Sequence, residues 1–128
     1  MTRRAGIGLS QIAHDHATHP RNYGPPEDFD GHARITGPCG DTMEFWLAVQ
    51  NGRILRAFFT TDGCESSLAC GSITTCLANG RSVADAMAIE QRDILEMLGG
   101  LPDDSEHCAL LAANTLKAAC RDDIKNCD

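Results

Sequence analysis

Thr42-Met43-Glu44-Phe45-Trp46-Leu47-Ala48-Val49-Gln50-Asn51-Gly52-Arg53-Ile54-Leu55-Arg56-Ala57-Phe58-Phe59-Thr60-Thr61 is the stretch that decides the fold. Met43, Phe45, Leu47 and Val49 recur at every second residue, the period that places side chains on one face of a β-strand. Asn51-Gly52 follows, and both residues tolerate the positive φ angles of a two-residue hairpin turn. Arg53 to Thr61 then reads as the returning strand, with a less strict alternation through Ile54, Ala57 and Phe58-Phe59. Upstream, His32 to Gly37 reads as a short extended segment, so the pattern predicts an antiparallel meander of three strands.

Beyond Asp62-Gly63 the period changes to that of helices. Residues 65–79 fit one helix, closed by Asn79-Gly80. Ser82 caps a short helix through Met87, with Asp85 at the reciprocal position of a capping box. Residues 90–98 predict a further helix, stopped by Gly99-Gly100. Asp103-Asp104-Ser105 supplies the acidic start that a helix dipole favours, and the last helix is expected over about 105–125. Before the meander, residues 8–18 predict a short helix beginning near Ser10, ended by His19-Pro20 and the Gly24-Pro25-Pro26 loop. Strands first and helices later is an α+β pattern, here a three-stranded antiparallel sheet with helices packed on one face. Residues 1–128 read as a single domain of this kind.

The composition narrows the function. A formal charge of −7, with eleven scattered basic residues, offers no basic stripe to displace counterions, which argues against a nucleic-acid partner. No run approaches the ~18 consecutive apolar residues of a membrane span. Arg3 and Arg4 are followed by no apolar run that would make an export signal, so a cytoplasmic location is expected. Seven cysteines in such a chain, an odd number, point to metal binding or catalysis rather than to a disulfide framework.

Three of those cysteines sit at the ends of predicted elements. Cys39 lies in the turn Gly37-Pro38-Cys39-Gly40-Asp41, Cys64 follows Asp62-Gly63 where strand gives way to helix, and Cys108 follows His107 at the start of the last helix. Soft thiolates select iron–sulfur clusters and also zinc, and a helix N-terminus favours the thiolate at Cys64 and Cys108. Asp41, two residues from Cys39, is a harder ligand on the same side of an extended segment. His107 is an alternative fourth ligand, although neighbours on a helix diverge by ~100°, so Asp41 and His107 are expected to compete for one position. The remaining cysteines have plainer readings. Cys70 and Cys76 are expected to pack as small hydrophobes, and Cys120 and Cys127 to take core or surface places without ligation. His14, His16 and His19 are too scattered on a helix to form a second site, and Trp46 is expected to be buried under a helix.

Asp15-His16, His19-Pro20-Arg21-Asn22, Gly37-Pro38-Cys39-Gly40-Asp41, Asp62-Gly63-Cys64, the Ser66-to-Ser72 region and His107-Cys108-Ala109-Leu110-Leu111-Ala112 occur in an order and at gaps that span nearly the whole chain. In this the sequence resembles the U-type iron–sulfur scaffolds, IscU and the N-terminal module of NifU. The resemblance implies a scaffold that assembles a transient cluster, expected as [2Fe-2S], with zinc possible in its place. It implies Cys39, Cys64 and Cys108 as the thiolates, Asp41 and His107 as accessory ligands, and Asp41 as the residue that keeps the cluster labile. It further implies a cysteine desulfurase as sulfur donor, Cys108 as first acceptor of persulfide sulfur, and apo iron–sulfur proteins as recipients. A zinc-dependent sulfurtransferase using the same residues is the alternative, and a structural zinc domain a third reading.

Two departures from the family pattern bear on partners and cargo. Where IscU-like members carry Leu-Pro-Pro-Val-Lys, read by an Hsp70-type chaperone, this chain has Leu101-Pro102-Asp103-Asp104-Ser105. That argues against such a chaperone as partner. The small residue expected after the second cysteine is Glu65, whose charge disfavours an anionic cluster and favours zinc.

Overall fold

The computed structural model describes residues 9–126; Arg3, Arg4 and Cys127 lie outside the described residues. Its elements are α1 (Gln11–Thr18), β1 (Gly31–Thr36), β2 (Thr42–Gln50), β3 (Arg53–Thr61), α2 (Glu65–Ala78), α3 (Val83–Ala86), α4 (Gln91–Leu98) and α5 (His107–Asn126), with a single 3-10 turn at Asp103–Ser105 before α5. The strands form one antiparallel sheet in the order β1-β2-β3.

The hairpin arises as its sequence dictates: Asn51 and Gly52 take φ of 54° and 74°. The loose alternation of β3 has a specific cause. Ala48 faces Arg56 and Val49 faces Ile54, so Leu55 is the extra residue of a β-bulge and stands out into solvent. Ile54 and Ala57 can therefore both be buried although they lie three apart.

Met43, Phe45, Leu47 and Phe59 line one sheet face and are fully buried beneath α2 and α5. α1 packs on α2 rather than on the sheet, and α4 fills in against α2 and α5. Two close approaches depend on glycine. A Cβ on Gly31 would meet the Ala119 carbonyl oxygen at 2.5 Å and Asp123 Cβ at 2.9 Å, so α5 can lie against β1 only if that residue has no side chain. Gly71, in α2, sits on the Phe59 ring in the same way. The free edge of β3 is closed by Asn22–Gly24 and by Gly80-Arg81. Phe59 N–H donates to Asn22 O at 3.1 Å, and Gly24 N–H to Phe59 O at 2.8 Å. Ile54 exchanges hydrogen bonds of 2.8 Å with Gly80 and Arg81.

Two expectations are corrected here. Trp46 is buried, but not under a helix: it faces the open side of the sheet, opposite Phe58 and stacked on His32 at 5.5 Å between centroids. Cys76 is exposed on α2 rather than packed, because it falls on the helix face turned away from both sheet and α5, whereas Cys70 is fully buried. No described helix is long and apolar enough to cross a membrane.

Candidate metal centre

One end of the sheet gathers three chain connections. In the first, Gly37 N–H donates to Asp41 O at 2.8 Å and Gly40 N–H to Gly37 O at 3.0 Å, with Gly40 at φ 93°. This tight turn leaves Cys39 exposed at its tip and carries Asp41 inward, half-buried, at the threshold of β2. The second connection, from β3 to α2, is strapped to the first: Thr42 N–H donates to Asp62 Oδ1 at 2.7 Å and Asp62 N–H to Thr42 O at 3.3 Å. It ends at Cys64, the N-cap of α2, whose exposed thiol makes no capping hydrogen bond. The third is the start of α5, where Leu111 packs against Gly37 and Cys108 is 1% exposed.

Asp41, His107 and Cys108 offer one ligand atom each, all within 4.8 Å of one another, and no other such trio occurs among the described residues. Cys108 Sγ lies 3.8 Å from His107 Nε2. The expected divergence of helix neighbours does not keep them apart, because His107 opens the helix and the length of its imidazole returns Nε2 to the site. Both Asp41 and His107 therefore lie within reach of Cys108. A tetrahedral ion with bonds of roughly 2.0–2.3 Å holds its ligand atoms about 3.3–3.8 Å apart. The trio is close to that spacing, and its oxygen, nitrogen and sulfur donors suit zinc or iron. Cys39 and Cys64 are not drawn into this tight group, although Cys64 is near enough for its charge to act on Cys108.

Burial pushes the Cys108 thiol above its ordinary pKa; a hydrogen bond from Ser67 opposes this, and the charges of Cys64 and Asp41 add to it. Without metal, burial thus favours the protonated form at Cys108. Beneath it Cys70 is driven up further by burial and by the charges of Cys108 and Cys64, and Cys120 is raised to about 12 by burial first and Asp123 second. Cys70 and Cys120 are core thiols. A bound cation would reverse the balance at Cys108, since coordination requires and stabilises the thiolate.

Ser67 escaped the sequence reading. It is fully buried in the first turn of α2, with its hydroxyl 3.1 Å from Asp41 Oδ2 and 3.4 Å from Cys108 Sγ. The available signal was its position three residues after Cys64, one helical turn on and therefore on the same face. The histidines of α1 do not converge. His16 is buried and bonds Ser72 Oγ through Nδ1 at 2.7 Å, tying α1 to α2, while His14 and His19 are exposed.

Residues 9–126 match the family model described as the NifU-like N-terminal domain. The chain belongs to the NifU-like N-terminal domain family. Within this family, an iron–sulfur cluster assembly scaffold protein IscU of Archaeoglobus fulgidus is 40% identical over 82% of this chain and 69% of its own length. The scaffold protein IscU of Escherichia coli is 38% identical over 91% of this chain and 94% of its own. Among solved structures, a NifU-like N-terminal protein from Brucella abortus superposes with a TM-score of 0.72 at 15% identity, covering 91% of this chain and 94% of that one. A scaffold-type protein of the SUF system from Fervidobacterium islandicum gives 0.70 at 18%, covering 87% and 95%. At those identities the superpositions speak for the fold alone, an α+β arrangement common to the family.

Proposed function

We propose that this protein is a scaffold on which a transient iron–sulfur cluster is assembled and then passed to acceptor proteins. The observation that carries the reading is the convergence of Asp41, His107 and Cys108 on one point, with Cys64 beside it and Cys39 on the adjoining turn. It is supported by membership of a family whose relatives are named as such scaffolds. The site lies at the rim of the sheet, and two of its thiols are exposed, as suits a cargo that must enter and leave through contact with other proteins.

In this reading sulfur arrives as a persulfide from a cysteine desulfurase. The Cys108 thiolate attacks the terminal sulfur, a new S–S bond forms on Cys108, and the donor cysteine departs as its thiol. Cys39, Cys64 and Cys108 hold the cluster, Asp41 or His107 takes the fourth position, and the weaker carboxylate bond of Asp41 leaves the cluster free to depart. The chain acts as carrier, with no turnover of its own. The same oxygen, nitrogen and sulfur donors also fit zinc, which makes a zinc-dependent sulfurtransferase the second reading.

Anaerobic reconstitution with ferrous iron, sulfide and a thiol, followed by absorption spectroscopy and transfer to an apo-ferredoxin, separates the two. Visible bands that vanish on transfer and are missing from a Cys39/Cys64/Cys108 triple serine variant establish the scaffold. A colourless protein that keeps stoichiometric zinc and still accepts persulfide sulfur establishes the transferase.

A further inference from the structure

Ser67 hydrogen-bonds to two of the three converging ligands. Its hydroxyl lies 3.1 Å from Asp41 Oδ2 and 3.4 Å from Cys108 Sγ. The three residues come from different elements: Asp41 from the turn before β2, Ser67 from α2, Cys108 from α5. A hydroxyl has one hydrogen to donate and lone pairs to accept with. Ser67 Oγ stands as donor to both Asp41 Oδ2 and Cys108 Sγ, so its one hydrogen is shared between the carboxylate and the sulfur. The hydroxyl thus ties the two ligands to one point of the site.

The space for this bridge is set by Gly63. A Cβ at that position would fall 2.7 Å from Ser67 Cβ and 2.8 Å from Asp41 Oδ2, and well inside contact distance of the Ser67 hydroxyl. Gly63 has no positive φ among the described backbone, so room rather than backbone freedom is what its missing side chain provides.

We propose that Ser67 is a positioning residue of this site: its hydroxyl aims the Asp41 carboxylate and the Cys108 sulfur at a common point before any metal arrives, and Gly63 is the cradle that admits it. This deepens the scaffold reading and rests on it. Outer partners that orient metal ligands typically account for 10–100-fold in metal affinity, because without them each ligand must be ordered at the moment of binding. Ser67 supplies no bond to the metal in this account, so its loss leaves the ligand set intact.

Cobalt(II) is the probe, titrated anaerobically into metal-free full-length protein against a competing chelator, with the thiolate-to-cobalt charge-transfer band as readout. Ser67→Ala is expected to weaken cobalt binding about 10–100-fold while the band keeps its position, and Ser67→Thr, which retains the hydroxyl, to recover most of the loss. Gly63→Ala, which keeps every ligand and the hydroxyl, should weaken binding similarly. Because both changes break the same bridge, the Gly63→Ala/Ser67→Ala double variant should bind no more weakly than the worse single variant. Should Ser67→Ala fail to fold, Gly63→Ala and its far-ultraviolet circular dichroism carry the test. A purely structural serine would lower the melting temperature and leave cobalt affinity within twofold, which would overturn the proposal. Losses that simply add in the double variant would overturn it too. Wild-type protein that takes up no cobalt through a thiolate would bring down the metal-site reading itself, and this proposal with it.

Discussion

The thiols of the metal-free protein should divide into two reactivity classes, and native alkylation with iodoacetamide at pH 7.5 can resolve them. Cys39, Cys64 and Cys76 are exposed; Cys70, Cys108 and Cys120 are buried. The thiolate is the reacting species, and an ordinary thiol near ~8.5 is about one-tenth ionised at this pH. Cys120, pushed up to about 12, is ionised to roughly three parts in a hundred thousand, so charge alone slows it about three thousandfold before burial is counted. Cys108 is raised by burial, and by the neighbouring charges of Cys64 and Asp41, against the opposing hydrogen bond of Ser67. It should therefore label far more slowly than Cys64, although both adjoin the same site. Peptide mapping of timed aliquots gives each rate. Raising the pH should speed Cys108 over a range above that of an ordinary thiol, and Asp41→Asn, which removes one of the raising charges, should shift that range downward. Equal labelling of Cys108 and Cys64 in the folded protein at pH 7.5 would refute the reasoning. It would mean that the buried thiol is already open or ionised without metal. The expected result has a functional consequence: Cys108 should accept persulfide sulfur poorly until a cation has bound beside it.

Three further outcomes follow from named contacts. Asp41→Ala should lengthen the life of a reconstituted cluster, followed as visible absorbance under a chelator; a shorter life would remove Asp41 as the labile ligand. Gly71→Ala would force a methyl to about 3.0 Å from Phe59 Cγ and closer still to the ring edge, so overpacking should destabilise by about 1–3 kcal/mol, offset by roughly 1 kcal/mol of helix propensity. Urea denaturation measures the difference, and a more stable variant would show that the ring can move aside. Stability should fall above about pH 9, because Cys70, Cys108 and Cys120 hold their protons in the fold after the unfolded chain has lost them. Each such thiol adds a slope of about −1.4 kcal/mol per pH unit until its own raised pKa is reached. Urea midpoints of metal-free protein between pH 8 and 10 test this, and Cys120→Ala should flatten the slope by one thiol's share.

Much of the architecture is written in local pattern. Two-residue alternation from Met43 to Val49 and the turn at Asn51-Gly52 fix a hairpin, since side-chain period and φ preference belong to neighbouring residues. Gly99, at φ 77°, ends α4 where its sequence says it must. Hydrophobic patterning also decides which sheet face takes the helices, because Met43, Phe45, Leu47 and Phe59 have nowhere else to be buried. The cysteines at element ends were visible as candidates for the same reason: turn residues and helix starts announce themselves.

What pattern could not decide is everything set by contact between distant segments. That Cys76 is exposed while Cys70 is buried depends on how α2 is rotated against β3, and Trp46 owes its cover to cross-strand neighbours rather than to a helix. The joining of Asp41 to Cys108 through Ser67 links positions 26 and 41 residues apart from the serine, within a space that exists only because Gly63 has no side chain. Sequence determines local geometry because torsional preference and periodicity are short-ranged. The burial that raises the Cys108 thiol, and the convergence that gives it His107 and Asp41 as neighbours, arise only when three connections are packed against one end of the sheet.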